Sequence, residues 1–241
     1  MIFVFLALAL GGMVKGATGA GAPVVAIPVL AAAYDVRFAV TLMVVPNLMT
    51  NLVQIWRYRA DRLPDRFTLA FALAGGVGVG LGSLALVALS PDVLAITVAV
   101  AVVIYILVRF LHPGWALAFP IARRLAAPAG LTAGILQGAT GISAPVAITF
   151  LNAMRLARPQ FIVTISVFFA VMAAIQVPVL AKLGLMTGEM FLYGLLALVP
   201  LAGAMPLGNA LARFMSARTF DRIVLLLLAA TAAKLVIDVL L

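Results

Sequence analysis

Eight residues, Gly16-Ala-Thr-Gly-Ala-Gly-Ala-Pro23, return as Gly138-Ala-Thr-Gly-Ile-Ser-Ala-Pro145, with six of the eight positions identical. The offset, from 16 to 138, is 122 residues, about half of the 241-residue chain. Each copy lies inside a long apolar stretch, where glycine and proline weaken a helix. Broken backbone at membrane depth is tolerated only where it is buried in protein or lines a cavity. Paired interruptions in two sequence halves therefore point to a transporter's binding site.

The surroundings are those of a membrane. Apolar residues make up 66% of the chain and charged residues 10%, which excludes a soluble globule. The apolar runs are helix-length, without the alternation of a β-barrel, so the expected class is an all-α polytopic membrane protein. With no cysteine and a single histidine, His112, the chain has no thiol chemistry and too few ligands for a metal site. No metal and no cofactor are expected. The net charge of +9 is read as topology and not as nucleic-acid binding, because cytoplasmic loops collect Lys and Arg. The first ten residues resemble a signal-peptide apolar core. No basic segment precedes them and the pattern recurs near residue 131, so they are read as a retained helix.

Apolar stretches run over 2–33, 38–56, 67–89, 93–111, 116–153, 160–181, 188–212 and 220–241, four per half. The repeat extends further: Gln54 matches Gln176 at the same offset, and Gly82-Ser83 matches Gly208-Asn209 at 126. If all eight stretches cross the membrane, the basic loop residues split 8 against 6 between the two sides. If the first and fifth are re-entrant hairpins bent at the glycine motif, the split becomes 12 against 2. One side then holds Arg57, Arg59, Arg62, Arg66, Arg109, Arg123, Arg124, Arg155, Arg158, Arg213, Arg218 and Arg222, and the other Arg37 and Lys182. The positive-inside bias selects the second arrangement. The expectation is two inverted repeats, 1–112 and 113–241, each a re-entrant helical hairpin plus three transmembrane helices, with both termini outside the cytoplasm. Eight plain spans are the alternative.

At each break a helix N-terminus should face the membrane interior, its first N–H groups free and its dipole positive. Such an end binds anions. The expected substrate-binding set in the first half is Lys15, Gly16, Thr18, Gly19, Gly21, Asn47, Asn51 and Gln54. In the second half it is Gln137, Gly138, Thr140, Gly141, Ser143 and Gln176. Glycines let a ligand approach the backbone, and the hydroxyls of Thr18, Thr140 and Ser143 supply donors. Lys15 stands where the second copy has Gln137, and a lysine at this depth needs a cavity or a partner. Asn47 and Asn51 match Phe169 and Ala173, so the site should be asymmetric. Interhelical hydrogen bonding is the structural alternative for the amides.

Other patterns carry less. Gly75-Gly-Val-Gly-Val-Gly-Leu-Gly82 resembles a dinucleotide fingerprint but follows no strand, so helix packing through Gly76/Gly80 and Gly78/Gly82 is expected. Pro200 and Pro206 should kink the seventh stretch, and Lys234 with Asp238 should pair on the last helix. The remaining acids fall in expected loops or at helix ends, which argues against a cation pathway. No catalytic set exists, so the chain is not expected to be an enzyme.

With these motifs, the two-half layout and the small size, the whole chain resembles the sulfite exporter TauE/SafE family of bacterial membrane proteins. It carries Gly-Ala-Thr-Gly where relatives often have more consecutive glycines. The resemblance implies a multi-pass inner-membrane transporter of small, often sulfur-containing anions such as sulfite, thiosulfate or organosulfonates. The expected function is export of such an anion by alternating access, with a site between the two hairpin tips. A passive anion channel of the same architecture is the rival, and a scaffold subunit a third reading. The expected partners are a small anion and the lipid bilayer, without nucleic acid. Gly-rich and apolar helix faces leave room for a homodimer.

Overall fold

In the computed structural model, residues 2–111, 116–214 and 217–240 are described, and among these every regular element is helical. The helices are α1 (Ile2–Thr18), α2 (Ala22–Ala31), α3 (Val36–Arg57), α4 (Asp65–Ala88) and α5 (Pro91–Leu111), then α6 (Phe119–Thr140), α7 (Ala144–Ala153), α8 (Arg158–Lys182), α9 (Gly188–Phe214) and α10 (Ala217–Leu240). Five are long and apolar enough to cross a membrane: α3, α4, α5 over Pro91–Val108, α8, and α9 over Gly188–Leu211. The chain is a multi-pass membrane protein. The sixth expected span, 220–241, lies partly outside the described residues, as do His112 and the expected boundary between the halves. Exposed apolar side chains such as Trp56, Val77, Leu196 and Val199 suit contact with lipid tails.

Both glycine motifs break the helix. Gly19 and Gly141, repeat mates, adopt φ of +84° and +72°, a left-handed conformation that favours glycine. Pro23 and Pro145 then fall in the first turn of α2 and α7, where a missing N–H costs nothing. Beyond each break the chain doubles back. A carbon added at Gly11 on α1 would lie 2.9 Å from the Ala22 carbonyl and 3.1 Å from Ala26 Cβ, so α2 returns along α1. In the second half, Leu117 N–H donates to the Ala153 carbonyl at 2.7 Å, tying the entry of α6 to the end of α7. α2 and α7 have ten residues each, about 15 Å, half of a hydrocarbon core of about 30 Å.

The halves pack reciprocally. α1 lies on α9 as α6 lies on α4, and α3 touches α9 as α8 touches α4. The atomic contacts obey the offsets seen in the sequence. A carbon added at Gly138 would meet the Val79 carbonyl at 2.4 Å, and one at its mate Gly16 would meet the Met205 carbonyl at 2.0 Å. One at Gly82 would lie 2.1 Å from the Ile135 carbonyl, and one at Gly208 1.9 Å from that of Met13. Backbone thus touches backbone, the close approach that small residues permit between membrane helices. The glycine run packs through the expected Gly78/Gly82 pair, while Gly76/Gly80 does not act as a pair. Gly78 and Gly82 face α6, Gly75 and Gly76 face Phe168 and Ile175 on α8, and Gly80 meets nothing within 4 Å. The face used is set by where α6 lies, which the run itself does not encode. α9 is one helix through Pro200 and Pro206, and Lys234 pairs with Asp238 while its ammonium also donates to the Ala32 carbonyl at 2.9 Å.

Candidate functional site

Lys15 is 1% exposed, on the last turn of α1, and its ammonium donates to Asn51 Oδ1 at 2.8 Å. Asn51 Nδ2 in turn donates to Asn47 Oδ1 at 2.8 Å and to the Asn47 carbonyl at 2.7 Å. Asn47 and Asn51 share a face of α3 because they are four apart. Gln54, one turn further, donates to the Gly19 carbonyl at 2.9 Å and accepts from the Ser166 hydroxyl at 3.1 Å. That amide therefore holds the first break to α8.

These residues border two spaces. The larger, about 680 Å³, lies within the range of small-molecule sites. Lys15, Gly16, Gly19, Thr50, Gln54, Arg57, Arg158, Ile162 and Asn209 are in its wall. Arg57 and Arg158, both in its wall, belong to the arginine-rich set of the charge count. Arg158 also donates to the Ala17 carbonyl at 3.1 Å. The smaller space, about 10 Å³, could hold one water. Asn47, Gln137, Gln176, Pro23, Val40 and Met172 are in its wall.

The walls of the two spaces share four pairs of repeat-mate residues. Lys15, Thr50, Gln54 and Ile162 line the large cavity, and at the 122-residue offset they correspond to Gln137, Met172, Gln176 and Val40 around the small void. The first is open and the second collapsed. Gln176, in the wall of the small void, donates to Ser83 Oγ at 3.4 Å, whereas the mates of that pair, Gln54 and Asn209, both border the large cavity. Gln137 is 6% exposed and its Oε1 has no hydrogen-bond partner.

The expected threonine donors are otherwise engaged. Thr18 Oγ1 donates to the Val14 carbonyl at 2.8 Å and accepts from Ala20 N–H at 3.3 Å. Thr140 repeats this with the Leu136 carbonyl at 2.7 Å and Ile142 N–H at 3.2 Å. At a helix end the carbonyl four residues back lies within reach of a threonine hydroxyl, so both side chains seal the break. Thr18→Val with Thr140→Val is expected to cost about 1 kcal/mol per site in a thermal melt. Full anion affinity in that double variant would exclude the threonines as ligands. Ser143 Oγ, in contrast, is buried without a partner at the start of α7. Gly21 sits at the start of α2 with φ +93°, beside Val14 and Thr18. Gly138 is in the α4–α6 contact, and Gly141 packs against Ile27 and Val40.

Sequence reasoning missed Arg57, Arg158 and Asn209 as cavity residues, and Ser83 and Ser166 as partners of the two glutamines. The Ser83–Asn209 correspondence was visible at the 126-residue offset. The arginines were indistinguishable from topological charges.

No curated protein and no solved structure matches this chain. The family model for "Sulfite exporter TauE/SafE" matches residues 4–235, nearly the whole length. The chain belongs to the sulfite exporter TauE/SafE family of membrane transporters.

Proposed function

We propose that this protein is a secondary transporter of the bacterial inner membrane that exports a small sulfur-containing anion, an organosulfonate such as sulfoacetate, or sulfite. The halves 1–112 and 113–241 act as inverted repeats. The α1–α2 and α6–α7 pairs are re-entrant hairpins whose tips meet near the membrane midplane. The anion binds between Lys15, Gln54 and the first turn of α2, with Asn47, Asn51, Gln137, Ser143 and Gln176 completing the path beyond. Free N–H groups and the helix dipole at α2 and α7 favour negative charge there. The three cations around the cavity draw an anion in from the arginine-rich face.

One observation supports alternating access above the rest: four residues of the open cavity have their repeat mates around the collapsed void. Exchanging the conformations of the two halves would close the first and open the second around the same centre. A passive channel needs a continuous path, and the one-water void weighs against one in this state.

The test is the melting temperature of the purified protein against sulfite, thiosulfate, sulfoacetate, taurine, sulfate, acetate and chloride. A ligand at about 100 times its Kd stabilises the folded state by about 2.7 kcal/mol. For a chain of this size that is a rise of roughly 5–10 °C. A saturable rise with one sulfur oxyanion is expected. No response to any of the sulfur anions would remove that substrate class and leave the fold reading standing.

A further inference from the structure

The correspondence between the two spaces fails at their charges. Among the described residues, three cations border the open cavity, Lys15, Arg57 and Arg158, and no carboxylate is in its wall. Their repeat mates are Gln137, Val179 and Val36, all uncharged. Among the described residues, no charged residue borders the collapsed void. Lys15 is buried against a neutral amide oxygen, so it gains much from an arriving anion. Gln137 offers only a dipole to the same anion.

Charges near the opposite end do not restore the balance. Arg37 donates to the carbonyls of Leu86 at 3.0 Å, Val87 at 3.0 Å and Leu89 at 2.8 Å, so its guanidinium caps α4. It shares a separate cavity of about 470 Å³ with Asp35, which offsets its charge. Lys182 is exposed at the end of α8.

We infer that lysine at 15, opposed to glutamine at its repeat mate 137, gives the carrier a sided anion affinity. The state open to the arginine-rich face binds an anion tightly, and the state open through Gln137 binds it weakly. The inference rests on the alternating-access reading. It also narrows the ligand: an anion without an ammonium group of its own, since a zwitterion would bring a like charge into a cavity already lined by three cations. An affinity difference moves nothing uphill by itself. It makes the arginine-rich face saturate first and frees the anion from a strong cation on the other face.

The experiment measures half-saturation from each face, in everted and right-side-out vesicles from cells making the full chain, with sulfite, thiosulfate and sulfoacetate as probes. Half-saturation on the arginine-rich face is expected to be lower by about tenfold or more, the weight of one charged hydrogen bond. Lys15→Gln should bring the two faces close to equality. The exchange Lys15→Gln with Gln137→Lys should invert the ratio. Melting of each variant reports folding. Asn51→Asp provides a second route, because a carboxylate placed on Lys15 neutralises it in situ and should also level the two faces. Equal half-saturation in the unaltered protein overturns the inference alone, as does an undiminished ratio in Lys15→Gln or, if that variant does not fold, in Asn51→Asp. Absence of saturable uptake of all three probes from either face overturns the transport reading together with it.

Discussion

Gly138→Ala is expected to destabilise the folded chain by about 3 kcal/mol or more, while Gly80→Ala on the partner helix stabilises it slightly. The chemical change is the same; the surroundings decide the sign. At Gly138 the new carbon would lie 2.4 Å from the Val79 carbonyl oxygen and 2.7 Å from Ser83 N. Both are backbone atoms of a helix, which cannot swing aside as a side chain would. The two helices must separate, and they lose the close contact along α4 and α6 that replaces a hydrophobic driving force in lipid. At Gly80 nothing lies within 4 Å, so alanine brings only its better helix propensity, about 0.5–1 kcal/mol. Thermal melting in detergent should show Gly138→Ala lower by roughly 6–12 °C and Gly80→Ala unchanged or higher. Gly16→Ala should follow Gly138→Ala, since its mate contact with the Met205 carbonyl is 2.0 Å. Wild-type melting of both would mean that these helices do not meet backbone to backbone.

The glycine positions also show what a sequence can disclose. The breaks at 19–21 and 141–143 were legible because a positive φ is a local demand that only a few residues meet, and Gly19 and Gly141 stand at both. The offsets of 122 and 126 were legible for the same reason, and the interhelical contacts reproduce them. In the 75–82 run the Gly78/Gly82 contact was legible, but that Gly80 touches nothing was not. That depends on the position of α6, more than forty residues away in sequence. The site divided along a similar line. Lys15, Asn47 and Asn51 stood out as polar residues in apolar stretches, and they form one hydrogen-bonded chain. Arg57 and Arg158 did not stand out, because a cation at a helix end looks alike whether it sets topology or lines a cavity. The threonines were read as ligand donors from residue type alone. Their hydroxyls had nearer acceptors in their own helices.

Cross-linked cysteines at positions 83 and 176 are expected to stop transport completely, and so are cross-linked cysteines at their mates 209 and 54, but by trapping opposite states. The chain contains no cysteine, so each pair, Ser83→Cys with Gln176→Cys or Gln54→Cys with Asn209→Cys, can be introduced without background thiols. Ser83 and Gln176 are already in contact at 3.4 Å, so a short bifunctional thiol reagent should join them readily in the ligand-free protein. That trap keeps the large cavity open. A third cysteine at Thr50 should then stay reactive to an impermeant thiol reagent from the arginine-rich face. Gln54 and Asn209 both border the open cavity, so their link should form slowly and faster when substrate drives turnover. Once formed, it should protect the cysteine at position 50. A rocking carrier requires this reciprocity, because each closed pair is the repeat image of the other. A channel does not: its two pairs would share one state, react at rates independent of substrate, and leave position 50 equally accessible after either link. Full transport after both links would exclude movement between the halves.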